Sequence, residues 1–191
     1  LEYGVTGTVA LMMRMGDVLS NAQFRSLVLV VVLISAILLI SLGSFWGGLL
    51  AIVPNILPPL VAFGLMGLLE IPLDTDTLMI APVIIGIAVD DTIHFLTHYR
   101  MSLAKGISIE ESLKNTIEHV GRAVTFTTLI LGISFLMLCF SDYLGIARAG
   151  IFGSLAIFVA LACDLLFLPA LIHLFRPRFG VEINLINRTK V

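Results

Sequence analysis

The sequence predicts an all-α integral membrane protein of five transmembrane helices, with one cytoplasmic amphipathic helix between the third and the fourth. Three observations predict it. The 191 residues are 59% hydrophobic and 13% charged, where soluble domains average roughly 45–50% and 25%, and the mean hydropathy is +1.09. No charged residue occurs from Leu27 to Leu69, about twice the ~20 apolar residues that one span needs. Lysine and arginine crowd some connections and avoid others, as loops on the two sides of a bilayer do.

Taken in order, residues 1–25 are mixed and polar and read as the end of an external domain. The chain starts at Leu1 with no signal-peptide pattern, which predicts a piece of something larger. Phe45-Trp46-Gly47-Gly48, an interfacial aromatic and two glycines, divides the charge-free run into spans of about 27–45 and 48–69. Pro54, Pro58 and Pro59 predict a bent or broken second span. The remaining spans are expected at about 77–99, 122–141 and 149–173, completing a bundle over residues 26–175 before a polar tail, 176–191. Between the third and fourth spans, Ser108-Ile109-Glu110-Glu111 reads as a capping box opening a helix over 108–119. Its Ile109, Leu113, Ile117 and Val120 fall on one stripe, apart from Glu110, Glu111, Lys114 and Glu118, which predicts a helix lying at the membrane interface.

Charge sets the orientation and excludes some functions. One set of connections holds three basic residues, Arg14, Arg25 and Arg148. The other set holds eight: Arg100, Lys105, Lys114, Arg122, Arg176, Arg178, Arg188 and Lys190. The positive-inside rule therefore puts the N-terminus outside and the C-terminus in the cytoplasm. A short acidic loop with Glu70, Asp74 and Asp76 falls on the external side. A net charge of −2 without a basic tract argues against a nucleic-acid partner. Cys139 and Cys163 lie in apolar runs, so neither a disulfide nor a metal framework is expected, and no cofactor is expected.

Candidate functional residues are the polar groups inside the spans. With the third span centred near Ala88, Asp90 and Asp91 lie about 3–5 Å to the cytoplasmic side of the midplane. Asn55, Thr127, Thr128 and Asp164 fall about 4–7 Å to the same side. One ionisable side chain near the bilayer centre costs at least about 2.5–3.5 kcal/mol, so an adjacent pair must face protein or water. Such a pair, flanked at i+4 by His94, suits a proton carrier with a relay. Other roles are open for its neighbours. Asp164 can serve simply to hydrogen-bond adjacent helices, the threonines can bond back to their own backbone, and His94 can be a structural interfacial residue. Gly86, Gly132, Gly150 and Gly153 read as helix-packing contacts.

The string Gly86-Ile-Ala-Val-Asp90-Asp91 resembles the GxxxDD motif in the fourth helix of a half of resistance–nodulation–division (RND) transporters. Extended to Thr92-Ile-His94-Phe, it is similar to the MMPL-like, hydrophobe-exporting branch. Ile52-Val-Pro54-Asn55, Ile71-Pro72-Leu73-Asp74, Gly121-Arg122-Ala-Val-Thr-Phe-Thr127-Thr128 and Asp164-Leu-Leu-Phe-Leu-Pro169 agree in order and spacing. The resemblance implies the last five helices of a six-helix half-bundle, preceded by the end of an external domain. The polar tail favours the C-terminal half, a separately encoded half being the alternative. It further implies a prokaryotic inner membrane and proton-driven export of lipids or other hydrophobic molecules. Asp90 and Asp91 would be the protonatable pair, Thr127 a relay, and protons the only coupling agent.

Implied partners are the other half-bundle and external domains, membrane lipids, and further copies or accessory subunits. The drug-efflux branch sets a lysine and an arginine against its aspartates. Here no lysine is intramembrane and Arg122 is at a span's cytoplasmic end, so charge compensation comes from the other half or bound water. Two rivals stand beside transport: a sensor like the sterol-sensing domains of the same superfamily, and an intramembrane aspartyl protease pairing Asp164 with Asp90 or Asp91.

Overall fold

A computed structural model describes residues 7–176 except Ser44. The expected tail at 176–191, with Arg178, Arg188 and Lys190, lies outside the described residues from 177 onward. The described residues form seven α-helices and no strand: α1 Thr8–Leu42, α2 Phe45–Leu68, α3 Thr75–Leu78, α4 Ile80–Ala104, α5 Ile109–Met137, α6 Leu144–Ala162 and α7 Leu168–Phe175. A 3₁₀ turn, Leu138–Phe140, closes α5, and a π-helical segment, Cys163–Phe167, joins α6 to α7. Five stretches are long and apolar enough to cross a membrane: Arg14–Leu42, Gly47–Leu68, Thr75–Ala104, Ile109–Phe140 and Leu144–Phe175. The all-α, five-span architecture follows.

Short connections make sequential spans neighbours. α6 packs on α2, α4 and α5, while α1 lies against α2 and α4 on the opposite flank. Two apolar clusters fill the interior. One joins Leu38 and Leu42 of α1, Phe95, Leu96 and Tyr99 of α4, and Leu168 and Ile172 of α7. The other joins Ala62 and Met66 of α2, Ile80 and Ile84 of α4, and Phe152, Ala156 and Ile157 of α6.

Several boundaries differ from expectation, each for a local reason. The first turn comes at Gly43, whose φ of 58° supplies the left-handed cap of α1, with its N–H bonded to Ile40 O. Phe45 and Trp46 therefore begin α2 instead of ending α1. Gly48, expected in the turn, lies inside α2 where Leu39 packs so close that a Cβ would stand 3.0 Å from its Cα. The second span is not broken: Pro54, Pro58 and Pro59 are all buried within one helix, and neighbours on several sides hold it through the missing N–H groups. The segment read as external, residues 8–25, is continuous with the first span, so α1 runs 35 residues, about 52 Å at 1.5 Å per residue.

The separate interfacial helix is also corrected. Ser108 does cap α5, its hydroxyl accepting from Glu111 N–H at 3.3 Å, but the helix runs unbroken from Ile109 to Met137. Its buried residues, Ser112, Leu113, Thr116, Val120, Gly121, Val124, Thr128 and Gly132, follow a stripe at three- and four-residue spacing that passes straight through the expected break. Ile117, assigned to the apolar stripe, is exposed.

Glycine contacts join α5 to α6. A Cβ on Gly132 would stand 2.7 Å from the Phe158 ring, and one on Gly153 would stand 2.7 Å from the Phe135 ring. At Gly150 the obstacle is backbone, with Phe135 O at 2.7 Å and Cys139 N at 3.0 Å from the added carbon. Backbone cannot rotate aside, so Gly150→Ala is expected to cost about 1–3 kcal/mol, read as a lower unfolding midpoint in detergent. Gly64→Ala, which meets nothing within 4 Å, is the matched control.

On the side read as external, the short acidic loop is built of caps. Asp74 Oδ1 accepts from Thr77 N–H at 2.8 Å while Thr77 Oγ1 accepts from Asp74 N–H at 2.9 Å, a capping box for α3. Asp76 stands against Gly145 in the first turn of α6, where the helix dipole favours an anion. It also accepts from the Tyr143 hydroxyl, and this hydrogen bond, with the charge of Asp76 behind it, raises the phenol above the usual tyrosine range. Ionising Tyr143 breaks that bond and sets two anions together, so its phenolate is expected only at higher pH. Alkaline ultraviolet titration checks this, with Asp76→Asn moving the Tyr143 transition back down.

Candidate functional site

The third span has two faces set by helical register. Ala81, Ile84, Ile85, Ala88, Thr92, Phe95, Leu96 and Tyr99 of α4 are buried against the other helices. Val83, Gly86, Asp90, His94, Thr97 and Met101, also three and four residues apart, are exposed. The Gly86-xxx-Asp90-xxx-His94 series thus lies along a face that no described helix covers. Gly86 is accordingly not a packing contact among the described residues, because a Cβ there meets nothing within 4 Å.

Asp91, a further 100° round the helix, lies between the faces and is half-buried. It is close enough to interact electrostatically with Asp90 and His94 and with Asp164 across the bundle.

Asp164 occupies the π-helical turn before α7 and is 3% exposed. The turn has a local cause. Pro169 has no N–H for Leu165 O and its ring crowds that carbonyl, and the backbone widens so that Leu168 N–H bonds Cys163 O five residues back. π-turns of this kind collect at functional sites.

Three buried polar side chains meet here from three spans. Thr92 Oγ1 donates to Asp164 Oδ1 at 2.7 Å. Asn55 Nδ2 donates to Thr92 Oγ1 at 3.1 Å and to its own helix at Ala51 O, 2.6 Å. The single hydroxyl proton of Thr92 goes to Asp164, since the alternative acceptor, Asn55 Oδ1, is farther at 3.3 Å. Asn55 and Thr92 are 1% and 0% exposed. Along both α2 and the final span, this trio falls between the two apolar clusters. Asp164 Oδ2 has no hydrogen-bond partner among the described residues. A buried carboxylate with one hydroxyl donor and, among the described residues, no cation beside it is uncompensated when ionised.

Of the residues singled out from sequence, Asn55 and Asp164 are brought together with α4, but through Thr92, which the reading passed over. The buried stripe of α4 contained the signal: Ala81, Ile84, Ala88, Thr92, Phe95 and Tyr99 are spaced by three or four, and Thr92 is the polar member. Pro54, beside Asn55, is buried in α2. Thr128 is buried on α5, whereas Thr127 is exposed and its hydroxyl donates to Ala123 O and Val124 O of its own helix. Thr127 therefore takes the local bonding weighed against its relay role. His94 shares the open face with Asp90. Among the described residues no cluster of three or more metal-ligating side chains occurs.

The sequence model of the MMPL family matches residues 1–182. MJ1562 of Methanocaldococcus jannaschii is 28% identical over 172 residues, 90% of this chain and 44% of that protein. The hopanoid transporter HpnN of Burkholderia multivorans is 29% identical over 93 residues, 49% of this chain and 11% of HpnN. The chain thus spans less than half the length of either relative. No solved structure matches it.

Proposed function

The chain belongs to the MMPL family, and from that premise we propose that it is the membrane part of one half of a proton-driven RND-type exporter of lipids or other hydrophobic molecules. Asp90 and Asp91 are the proton carriers in this reading. The Asn55–Thr92–Asp164 trio is the buried polar support behind them, and protons are the only coupling agent. The observation that carries the proposal is the placement of the aspartate pair. Asp91 is half-buried, within electrostatic range of the orphaned carboxyl of Asp164, while Asp90 lies with Gly86 and His94 on the uncovered face of α4.

Ionised groups cannot face acyl chains cheaply, so that face is covered by the second half-bundle of the transporter or by water between the halves. Gly86 and Thr97 give a helix from the other half room to approach. Magnitudes favour a switch. A charge near the bilayer centre costs about 2.5–3.5 kcal/mol, and a proton falling through 100 mV supplies about 2.3 kcal/mol. Binding and releasing one proton is therefore enough to alter which helix packing is preferred.

The hopanoid transporter among the relatives supports a hydrophobic cargo, and the basic residues at the α4–α5 end support a cytoplasmic position for that end. The test is to reconstitute the intact transporter in vesicles, impose a pH gradient and follow a trapped pH-sensitive dye. Acidification should depend on the protein, and no proton movement above protein-free vesicles would defeat the proposal.

A further inference from the structure

Near the hairpin that joins α4 to α5, two histidines meet. His98 of α4 and His119 of α5 stack with ring centroids 5.9 Å apart and planes 19° from parallel. Their neighbours fix where each ring carries its hydrogen. Thr116 Oγ1 donates to Ser112 O at 2.7 Å, so its one proton is committed and it meets His98 Nδ1, 3.2 Å away, as an acceptor. His98 Nδ1 therefore carries hydrogen. His119 Nδ1 faces Asn115 O at 2.8 Å, and a carbonyl only accepts, so this nitrogen carries hydrogen too. Each neutral ring is left with Nε2 as a free proton acceptor.

The stacked pair continues a series of ionisable side chains. Asp90, His94 and His98 follow one another on α4 at four-residue spacing, about 6 Å of rise per step. Electrostatic interactions link Asp91 to His94, His94 to His98, and His98 to His119. His98 is half-buried and His119 is exposed, at a surface recess that it lines with Glu118 and Arg122. Lys105 also acts on His98. The acidic and basic groups around the series are thus Asp90, Asp91, Lys105, Glu118 and Arg122.

We infer that His94, His98 and His119 are a proton conduit between the Asp90–Asp91 pair and the surface at the α4–α5 turn, with His119 as its outer end. The inference rests on the proposed role of the aspartates. A proton on His119 Nε2 passes by way of water to Nε2 of His98 and then to the unprotonated ring nitrogen of His94, because the stack is too wide for direct transfer. It ends on a carboxylate: an N–H bond breaks, an O–H bond forms, each ring returns to neutral, His98 and His119 with Nδ1–H in place, and no electrons move. An imidazolium strengthens its Nδ1–H bond to Thr116 or Asn115. Two stacked cations repel, so the pair carries one proton at a time.

The intact transporter in vesicles tests this by time-resolved infrared spectroscopy of the protonated-carboxyl band after a rapid pH jump. His119→Ala removes an exposed ring. Protonation of the aspartates should slow by about 10²-fold, the lower end for a positioned proton-transfer group, with the final amplitude unchanged and the rate restored by added imidazole. His98→Gln, which keeps an N–H donor for Thr116, should slow it similarly. An unchanged rate in both variants overturns the conduit and leaves the role of the aspartates standing, and so does a loss of amplitude that imidazole does not restore. A band that ignores pH in the wild type, or persists undiminished in Asp90→Asn/Asp91→Asn, overturns the role of the aspartates and the conduit with it.

Discussion

Replacing both Asp90 and Asp91 by asparagine is expected to reduce proton-driven transport by the intact protein to the level of protein-free vesicles. Asparagine keeps the shape and polarity of the site and removes the group that would bind a proton. It also removes two potential charges whose presence near the bilayer centre costs about 2.5–3.5 kcal/mol each, so the unfolding midpoint in detergent should not fall. Loss of transport with retained stability separates a carrier from a structural polar pair. Singly, Asp91→Asn should be the more damaging, since Asp91 is half-buried and near Asp164 whereas Asp90 lies on the open face of α4. The assay is acidification of a trapped dye under an imposed gradient. Wild-type rates in the double variant would end the carrier reading.

The second large effect is expected at Thr92. Thr92→Val preserves volume and deletes one hydroxyl, which leaves Asp164 Oδ1 without its donor and Asn55 Nδ2 without its acceptor across the helices. A buried polar group stripped of its partner costs about 1–3 kcal/mol. Asp164 Oδ1 loses its donor while Asn55 Nδ2 keeps Ala51 O, so about 1–3 kcal/mol of stability should be lost. Thr92→Ser keeps the hydroxyl and should recover most of it. In a double-mutant cycle, Asp164→Leu and Thr92→Val should be clearly non-additive, because the residues share one bond. Additive losses in thermal unfolding would mean that the 2.7 Å contact contributes nothing to the bundle.

Much of this fold was legible because the bilayer imposes length and polarity so strictly. The charge-free run from Leu27 to Leu69 had to be two helices, and the cap at Ser108 and the contact glycines 132, 150 and 153 were read correctly from local chemistry. Failures came where continuity, not composition, was at stake. Polar residues before Leu27 suggested a separate segment, yet nothing between Thr8 and Leu42 stops a helix. Residues 119–122 looked like a boundary because the surface changes from charged to apolar, while the buried stripe of α5 passes through unchanged.

The site was half visible for a similar reason. Depth arithmetic picked out Asn55 and Asp164, but depth says nothing about azimuth. The azimuth of α4 turns Thr92 inward and Gly86, Asp90 and His94 outward. The π-turn at Asp164 had a cue in Pro169, five residues on, that hydropathy does not register.

The length of α1 bears on how such a protein would be driven. A hydrocarbon core about 30 Å thick cannot contain a rod of about 52 Å, so roughly two-fifths of α1 projects beyond it on the side of its N-terminus. No proline interrupts the helix. A tilt of the buried portion, which lies against α2 and α4, would be magnified at the protruding tip. Repacking of a few ångströms around α4 would then reappear as a larger sweep on the far side of the headgroups.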